Sequence, residues 1–197
     1  MKNVFYINLE KRVDRRKEVE NELTQMNWDF KRFNAIKLAD GRLGCSFSHL
    51  KLLKMAQKEN LEYIIIVEDD IKFLKKDWYK KELEKVFNED YDVLLLAGNI
   101  RDSMTQIKDN LYRIQKSFTT TGYIVKQKYY ETLINNIEYG IKNLLTHQHI
   151  KGRYEIDVNW FELQRRDKWY IILPRTVTQR ASYSDIEKKF VSYEMVG

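Results

Sequence analysis

Three consecutive carboxylates, Glu68, Asp69 and Asp70, follow the apolar run Tyr63-Ile64-Ile65-Ile66-Val67. Adjacent acids repel one another unless a positive charge neutralises them. Mg²⁺ and Mn²⁺ prefer carboxylate oxygens and keep coordination positions open for phosphate groups. The acids therefore indicate a divalent metal site at the end of a strand. An acidic turn that caps the next helix is the alternative that the local residues leave open.

A second polar group lies near the amino terminus, where an apolar strand over 4–9 is followed by a predicted helix over 11–26. Helix amino-terminal N–H groups and arginine side chains both favour anions, so phosphate is a candidate ligand here. A helix face that is merely solvated is the alternative. The group consists of Asn8, Glu10, Arg12, Arg15 and Arg16.

A third candidate is the segment Gly44-Cys45-Ser46-Phe47-Ser48-His49, which we interpret as a compact turn at a helix start. Such a turn favours an anion or a ribose. Cys45 is expected to be a small core residue, because the spacing shows no histidine and acid partner for it. Farther along, Gly122 follows three threonines and predicts a close backbone approach to a ligand.

Strand and helix patterns alternate through the first hundred residues, which predicts an α/β fold with a mainly parallel sheet flanked by helices. Two strands over 111–114 and 117–125, with no helix between them, predict that the sheet becomes mixed. Helices over 128–145 and 154–163 and a strand over 169–173 complete the pattern. With one proline and seven glycines, the chain has no linker-like segment, so we expect a single domain over 1–197.

Composition and net charge exclude few classes of function. The net charge of +6 suits anionic small molecules, nucleic acid or an acidic membrane surface. The single cysteine excludes an intramolecular disulfide, and no stretch approaches the ~20 apolar residues that span a bilayer. We therefore expect a soluble, cytoplasmic protein for which peripheral membrane contact remains open.

Taken in order, the segments 6–16, 44–49 and 67–73 resemble glycosyltransferase family 25, with fainter matches at 121–124, 156–157 and 179–186. The resemblance implies a GT-A type, Rossmann-like fold. Its nucleotide-sugar half would cover about 1–100, its acceptor half 101–186, and a tail 187–197. It also implies a sugar transferase, often a galactosyltransferase, that uses a UDP-sugar with Mn²⁺ or Mg²⁺. Family acceptors are lipooligosaccharide glycans, glycolipids or collagen-type hydroxylysine, so no nucleic acid partner is expected.

The same resemblance assigns roles to individual residues. Asp70 and Glu68 would hold the metal, with Glu68 or Asp69 contacting the ribose or supporting the metal ligands. The nucleotide site would comprise Asn8, Leu9, Arg12, Ser48, His49, Glu68, Asp69 and Gly122.

The resemblance also implies inversion at the sugar, which requires a carboxylate that accepts the proton of the acceptor hydroxyl. Asp157 is the candidate base and Asp185 the reserve. An acid that only stabilises a helix amino terminus is the alternative role for Asp157.

Two rival functions remain open at this point. Asp70-Ile71-Lys72, with Asp40 upstream, fits the acid and lysine pattern of a metal-dependent nuclease. Alternatively, the chain keeps the fold as a non-catalytic module that binds a sugar nucleotide or a protein.

Overall fold

The structure, a computed structural model, describes residues 1–184 and 189–191. Its helices are α1 (Val13–Gln25), α2 (Gly41–Lys58), α3 (Lys76–Val86), α4 (Tyr130–Thr146), α5 (Ile156–Asn159) and α6 (Phe161–Arg166), with a 3₁₀ turn (Gln127–Tyr129) before α4. The strands are β1 (Val4–Asn8), β2 (Phe30–Asn34), β3 (Tyr63–Glu68), β4 (Ile71–Phe73), β5 (Val93–Leu95), β6 (Asn99–Ile100), β7 (Met104–Lys108), β8 (Leu111–Ile114), β9 (Ser117–Phe118), β10 (Gly122–Lys126), β11 (Trp169–Ile172), β12 (Val177–Gln179), β13 (Ser182–Ser184) and β14 (Lys189–Val191).

Eight strands form the central sheet in the order β2-β1-β3-β10-β5-β11-β8-β7. β1 is parallel to both β2 and β3, and β5 is parallel to β11. β10 and β8 run against their neighbours, so the other strands all point the same way. The predicted α/β fold with a mixed, mainly parallel sheet is therefore confirmed.

The central strands are apolar on both faces because the sheet is covered on both sides. Successive side chains of a strand point to opposite faces. In β3, Ile64 and Ile66 join the core cluster that contains residues of α2 and α4, whereas Ile65 and Val67 join the cluster that contains residues of α1 and α3. The long β-branched run of β3 is thus explained by burial between two helical layers.

Helix α2 begins earlier than predicted. Its first turn is capped by Asp40, whose side chain accepts a hydrogen bond of 2.9 Å from the N–H of Arg42. The segment 44–49 therefore lies inside the helix rather than in a turn before it. A Cβ at Gly44 would lie 2.4 Å from the carbonyl oxygen of Ile36, so glycine is needed for the helix to pack against this backbone.

Other differences are smaller. β7 was not predicted, and all five of its residues are exposed, so it lacks the alternation that marks a half-buried strand. The predicted strand over 117–125 is divided into β9 and β10, and the predicted helix over 154–163 into α5 and α6. Among the described residues, no helix is both long enough and apolar enough to cross a membrane.

The two sequence halves share the central sheet. β10, from the second half, lies between β3 and β5 of the first half. The short strand β12 also pairs with β4, which directly follows the acidic turn. Residues far apart in sequence are therefore brought to one edge of the sheet. The division of function at about residue 100 stays a prediction.

Candidate functional site

The predicted acidic turn lies at the carboxyl edge of the sheet. Because β1 and β3 are parallel neighbours, with Ile7 opposite Glu68, Asn8 and the acids emerge at the same edge. Ligands of open α/β sheets bind at such edges. The turn is fixed from the other side by the N–H of Arg180, which donates to the backbone carbonyl of Asp70 at 2.7 Å.

Asn8 and Arg15 bind the acidic turn directly. The side-chain amide of Asn8 donates to Asp69 Oδ2 at 2.7 Å. Arg15 Nη1 donates to Asp69 Oδ1 at 2.8 Å and to Asp70 Oδ2 at 3.2 Å. Arg15 Nη2 in turn donates to Ser182 Oγ and to the carbonyl oxygen of Tyr183. One arginine therefore joins the acidic turn to β13.

Asp70 keeps one oxygen available. Its Oδ1 atom is buried and has no hydrogen-bond partner among the described residues. Burial, together with the negative charge of Glu68, raises the pKa of Asp70 to about 7. Burial also raises the pKa of Asp69. A buried, unpaired carboxylate oxygen is costly unless a cation or a proton satisfies it, so Asp70 suits a hard divalent cation.

Glu68 is held by residues from α2 and from the loop before β10. Its Oε1 atom accepts a hydrogen bond of 2.6 Å from Thr120 Oγ1 and lies 3.6 Å from His49 Nε2. The other ring nitrogen of His49 is 2.7 Å from the hydroxyl of Tyr123. Burial raises the pKa of Glu68, but the neighbouring His49 and Thr120 outweigh it, so the pKa is lowered overall.

Cys45 lies beside His49 and Glu68. The sequence did not predict this contact. Ligand atoms of Cys45, His49 and Glu68 lie within 4.8 Å of one another, an arrangement that could hold a metal ion. The spacing of Cys45 and His49 by one helical turn was a signal for their proximity. However, burial raises the pKa of the Cys45 thiol well above its usual range. A cysteine sulfur is also a soft ligand, which suits Zn²⁺ rather than Mg²⁺ or Mn²⁺.

Asp157, the candidate base, lies at the start of α5. Its Oδ2 atom accepts a hydrogen bond of 3.1 Å from the N–H of Thr119. Burial raises the pKa of Asp157; the Thr119 hydrogen bond opposes this, and the charge of Glu68 adds to it. The reserve candidate, Asp185, lies outside the described residues.

The loop between β9 and β10 connects Asp157 to Glu68. Thr119 binds Asp157, and the next residue, Thr120, binds Glu68. Thr119 has a φ of 82°, which is a strained conformation for a β-branched residue. A hydrogen bond of 2.7 Å between the hydroxyls of Thr119 and Thr121 helps to hold it. The loop therefore fixes two of the predicted site carboxylates relative to each other.

The remaining predicted residues divide into two groups. Arg12 belongs to the site edge, because its Nη1 atom donates to the carbonyl oxygen of Tyr183 at 3.1 Å and its N–H donates to the carbonyl oxygen of Leu9 at 2.8 Å. Arg16 instead pairs with Glu20, 3.0 Å away on the outer surface of α1.

Ser48 and Gly122 lie deeper. Ser48 donates to the carbonyl oxygen of Gly44 at 2.7 Å and accepts from the N–H of Ile36 at 2.9 Å. A Cβ at Gly122 would lie 3.0 Å from Ile71 Cδ1 and 3.1 Å from Leu96 Cδ1, so its small size is explained by core packing.

The nuclease alternative requires Asp40 and Asp70 to act together. No hydrogen bond or shared ion pair joins these two acids in the part of the chain that the structure describes. Asp40 caps α2 and forms an ion pair of 2.7 Å with Arg42. Lys72 lies in β4 and faces Thr178 of β12 across a strand pair. Asp40 therefore has a structural role at a helix start, and the geometry gives this alternative no support.

Comparisons with known proteins relate the sequence to a glycosyltransferase family. The sequence pattern of "Glycosyltransferase family 25 (LPS biosynthesis protein)" matches residues 37–146. The "Procollagen galactosyltransferase 1-B" of Xenopus laevis is 25% identical over 172 residues, which cover 67% of this chain and 28% of that protein. A Haemophilus influenzae protein with a provisional glycosyltransferase name is 30% identical over 152 residues, which cover 63% of this chain and 54% of that protein. The chain thus matches about half or less of these relatives' lengths.

A solved structure supports the fold alone. The mannose-1-phosphate geranyltransferase of Thermus thermophilus superposes with a TM-score of 0.52 at 9% identity, covering 90% of this chain and 75% of that one. The predicted GT-A type fold is confirmed. Because the family pattern covers more than half of the sequence, the chain belongs to glycosyltransferase family 25.

Proposed function

We propose that this chain transfers a hexose, galactose being the first candidate, from a UDP-sugar to a hydroxyl acceptor. The convergence of Asn8, Arg15 and the acidic turn at the carboxyl edge of the sheet, with Asp70 Oδ1 buried and unpaired, carries this proposal. The acceptor would be a glycan, a glycolipid or a hydroxylysine-type side chain. The names of the relatives support this class, and the cytoplasmic location stays a prediction from the sequence.

The residues present fit a divalent cation. Asp70 offers a free oxygen, and the lowered pKa keeps Glu68 ionised at neutral pH. Carboxylates are hard ligands and favour Mn²⁺ or Mg²⁺, whereas the sulfur of Cys45 is a soft ligand that does not. We therefore assign Asp70, supported by Glu68, as the cation ligands. A bound cation would offset the negative charge that grows on the leaving diphosphate.

The protein's own groups then have distinct tasks. Arg12 and Arg15 present guanidinium groups to the anionic donor at the end of β1. Asn8 fixes the orientation of Asp69. Asp157 accepts the proton of the acceptor hydroxyl while that oxygen attacks the anomeric carbon, which inverts the configuration there. Its partial burial and raised pKa are typical of a base prepared for this step.

The first test measures UDP release and sugar transfer from UDP-galactose and UDP-glucose, with Mn²⁺ and with a chelator. We expect metal-dependent turnover that Asp70→Asn lowers by about 100-fold or more. Asp77→Asn is the matched control, because the Asp77 side chain is 95% exposed on α3. Activity that survives both the chelator and Asp70→Asn would overturn the metal assignment. Donor binding without turnover would favour the non-catalytic module.

A further inference from the structure

Arg15 is largely buried, although arginine side chains usually lie on the protein surface. Its side chain is only 12% exposed, and its terminal nitrogens bind both the acidic turn and β13. Its Nε atom is buried and lacks a hydrogen-bond partner among the described residues. A buried, unsatisfied donor of a charged group carries a substantial free-energy cost. The guanidinium therefore neutralises the acids while one of its donors remains available for another acceptor.

Under the proposed function, the carboxylates that Arg15 binds also hold the cation. Arg15 Nη1 binds Asp70 Oδ2 at 3.2 Å, next to the unpaired Oδ1 atom of that side chain. A guanidinium and a divalent cation repel each other at such close range. Binding of the cation alone must therefore displace Arg15 or overcome its charge. A diphosphate relieves this conflict, because its oxygens can accept hydrogen bonds from an arginine that has left Asp70.

We propose that Arg15 is the resident counter-ion of the acidic turn and is exchanged onto the donor diphosphate when the divalent cation binds. This inference rests on the proposed function. Before the cation binds, Arg15 holds Asp69 and Asp70 together and disfavours the cation. In the loaded site, it binds the diphosphate, with Nε as the unused donor. Cation and nucleotide each strengthen the binding of the other as a result, and this coupling is reciprocal.

The test measures Mn²⁺ binding, from the electron paramagnetic resonance signal of the free ion, with and without UDP at about pH 8, where carboxylates are ionised. The variant Arg15→Gln should bind Mn²⁺ alone about tenfold more tightly than the unmodified chain and bind UDP in the presence of Mn²⁺ about tenfold more weakly. Affinity for Mn²⁺ rises while affinity for UDP falls. General damage to the site would lower both affinities.

Two further variants separate charge from geometry. Arg15→Lys keeps the positive charge but loses the planar fork and Nε. It should leave Mn²⁺ binding alone unchanged and weaken only UDP binding, and it provides the test if Arg15→Gln fails to fold. Arg16→Gln is the matched control, because Arg16 is 49% exposed and pairs with Glu20. Its binding constants should stay within about twofold of the unmodified chain.

Each outcome has a distinct meaning. If Arg15→Gln lowers the affinity for Mn²⁺, or leaves it unchanged while Asp70→Asn abolishes binding, the exchange is wrong and the cation site stands. If Asp70→Asn binds Mn²⁺ as well as the unmodified chain does, the cation assignment of the proposed function fails. If Arg15→Gln shows the opposite changes and Asp70→Asn loses Mn²⁺, both inferences hold.

Discussion

The individual carboxylates of the candidate site have different pKa values because their neighbours differ. Glu68 lies beside His49 and Thr120, and its pKa is lowered. Asp70 is buried beside Glu68, and its pKa is raised to about 7. Asp157 is partly buried and accepts a hydrogen bond from the N–H of Thr119, and its pKa is also raised. The opposite shifts of Glu68 and Asp157 suit different roles, because Glu68 stays ionised beside a cation whereas Asp157 can take up a proton as a base.

The proposed role of Asp157 as the base has a consequence for the pH dependence of turnover. A base must be ionised, and a raised pKa means that Asp157 takes up a proton at a higher pH than an ordinary aspartate. The kcat should therefore fall as the pH falls through an apparent pKa above the usual carboxyl value of about 4. Asp157→Asn should lower kcat by about 100-fold or more and remove this dependence, with little change in KM for the donor.

The measurement is a kcat profile against pH at saturating Mn²⁺ and UDP-sugar. Asp77→Asn, on the exposed surface of α3, should keep the full profile. A near-normal kcat for Asp157→Asn would exclude this residue as the base and transfer the assignment to the reserve candidate, Asp185.

Sequence reasoning found the acids and Asn8 because they directly follow apolar strands, and parallel strands bring their carboxyl ends together. It did not find the pairing of Arg15 with Asp69, because that depends on the rotation of α1 about its axis. The contact of Ser182 with Arg15 could not be predicted for another reason. Its approach to Arg15 depends on the chain after β12, and β12 pairs with β4 across about a hundred residues.

At the scale of elements, α2 positions the groups around Glu68. The helix carries Cys45, Ser48 and His49, and it lies close to the backbone after β2 because Gly44 has no side chain. An added Cβ would meet the Ile36 oxygen at 2.4 Å, so the backbone would have to move. Such overpacking typically costs about 1–3 kcal/mol.

We therefore predict that Gly44→Ala lowers the free energy of unfolding by about 2 kcal/mol, although alanine ordinarily favours a helix. The same shift should move His49 away from Glu68 and weaken donor binding. Urea unfolding and UDP titration measure the two effects. Lys51→Ala, at an exposed position of the same helix, is the control and should change neither. Equal unfolding free energies for Gly44→Ala and the unmodified chain would contradict the close packing.

The element boundaries show what local pattern can and cannot predict. The buried strands and long helices were predicted because their apolar spacing is set by burial. The start of α2 was misplaced, since glycines at 41 and 44 suggested a turn, whereas Asp40 caps the helix and Gly44 serves a contact with Ile36. The contact between Gly44 and Ile36 depends on how the chain after β2 packs against α2. Local sequence pattern does not show that packing.

At the scale of the whole molecule, the interleaved sheet makes the proposed donor site depend on both halves of the chain. β10 separates β3 from β5, and the loop that leads into it supplies Thr120 to Glu68. The segment that follows β12 supplies Ser182 and Tyr183 to Arg15. A chain whose halves share one sheet should unfold in a single cooperative transition.

Donor binding should therefore stabilise the molecule as one unit. A ligand that binds only the native state raises its stability by mass action. UDP with Mn²⁺, at about 100 times its Kd, should raise the melting temperature by about 5–10 °C in one transition. UMP, which lacks the second phosphate, should produce a smaller shift, and Asp70→Asn should remove the dependence of the UDP shift on Mn²⁺. Two transitions of which only one moves would show that the halves unfold separately, contrary to the interleaved sheet.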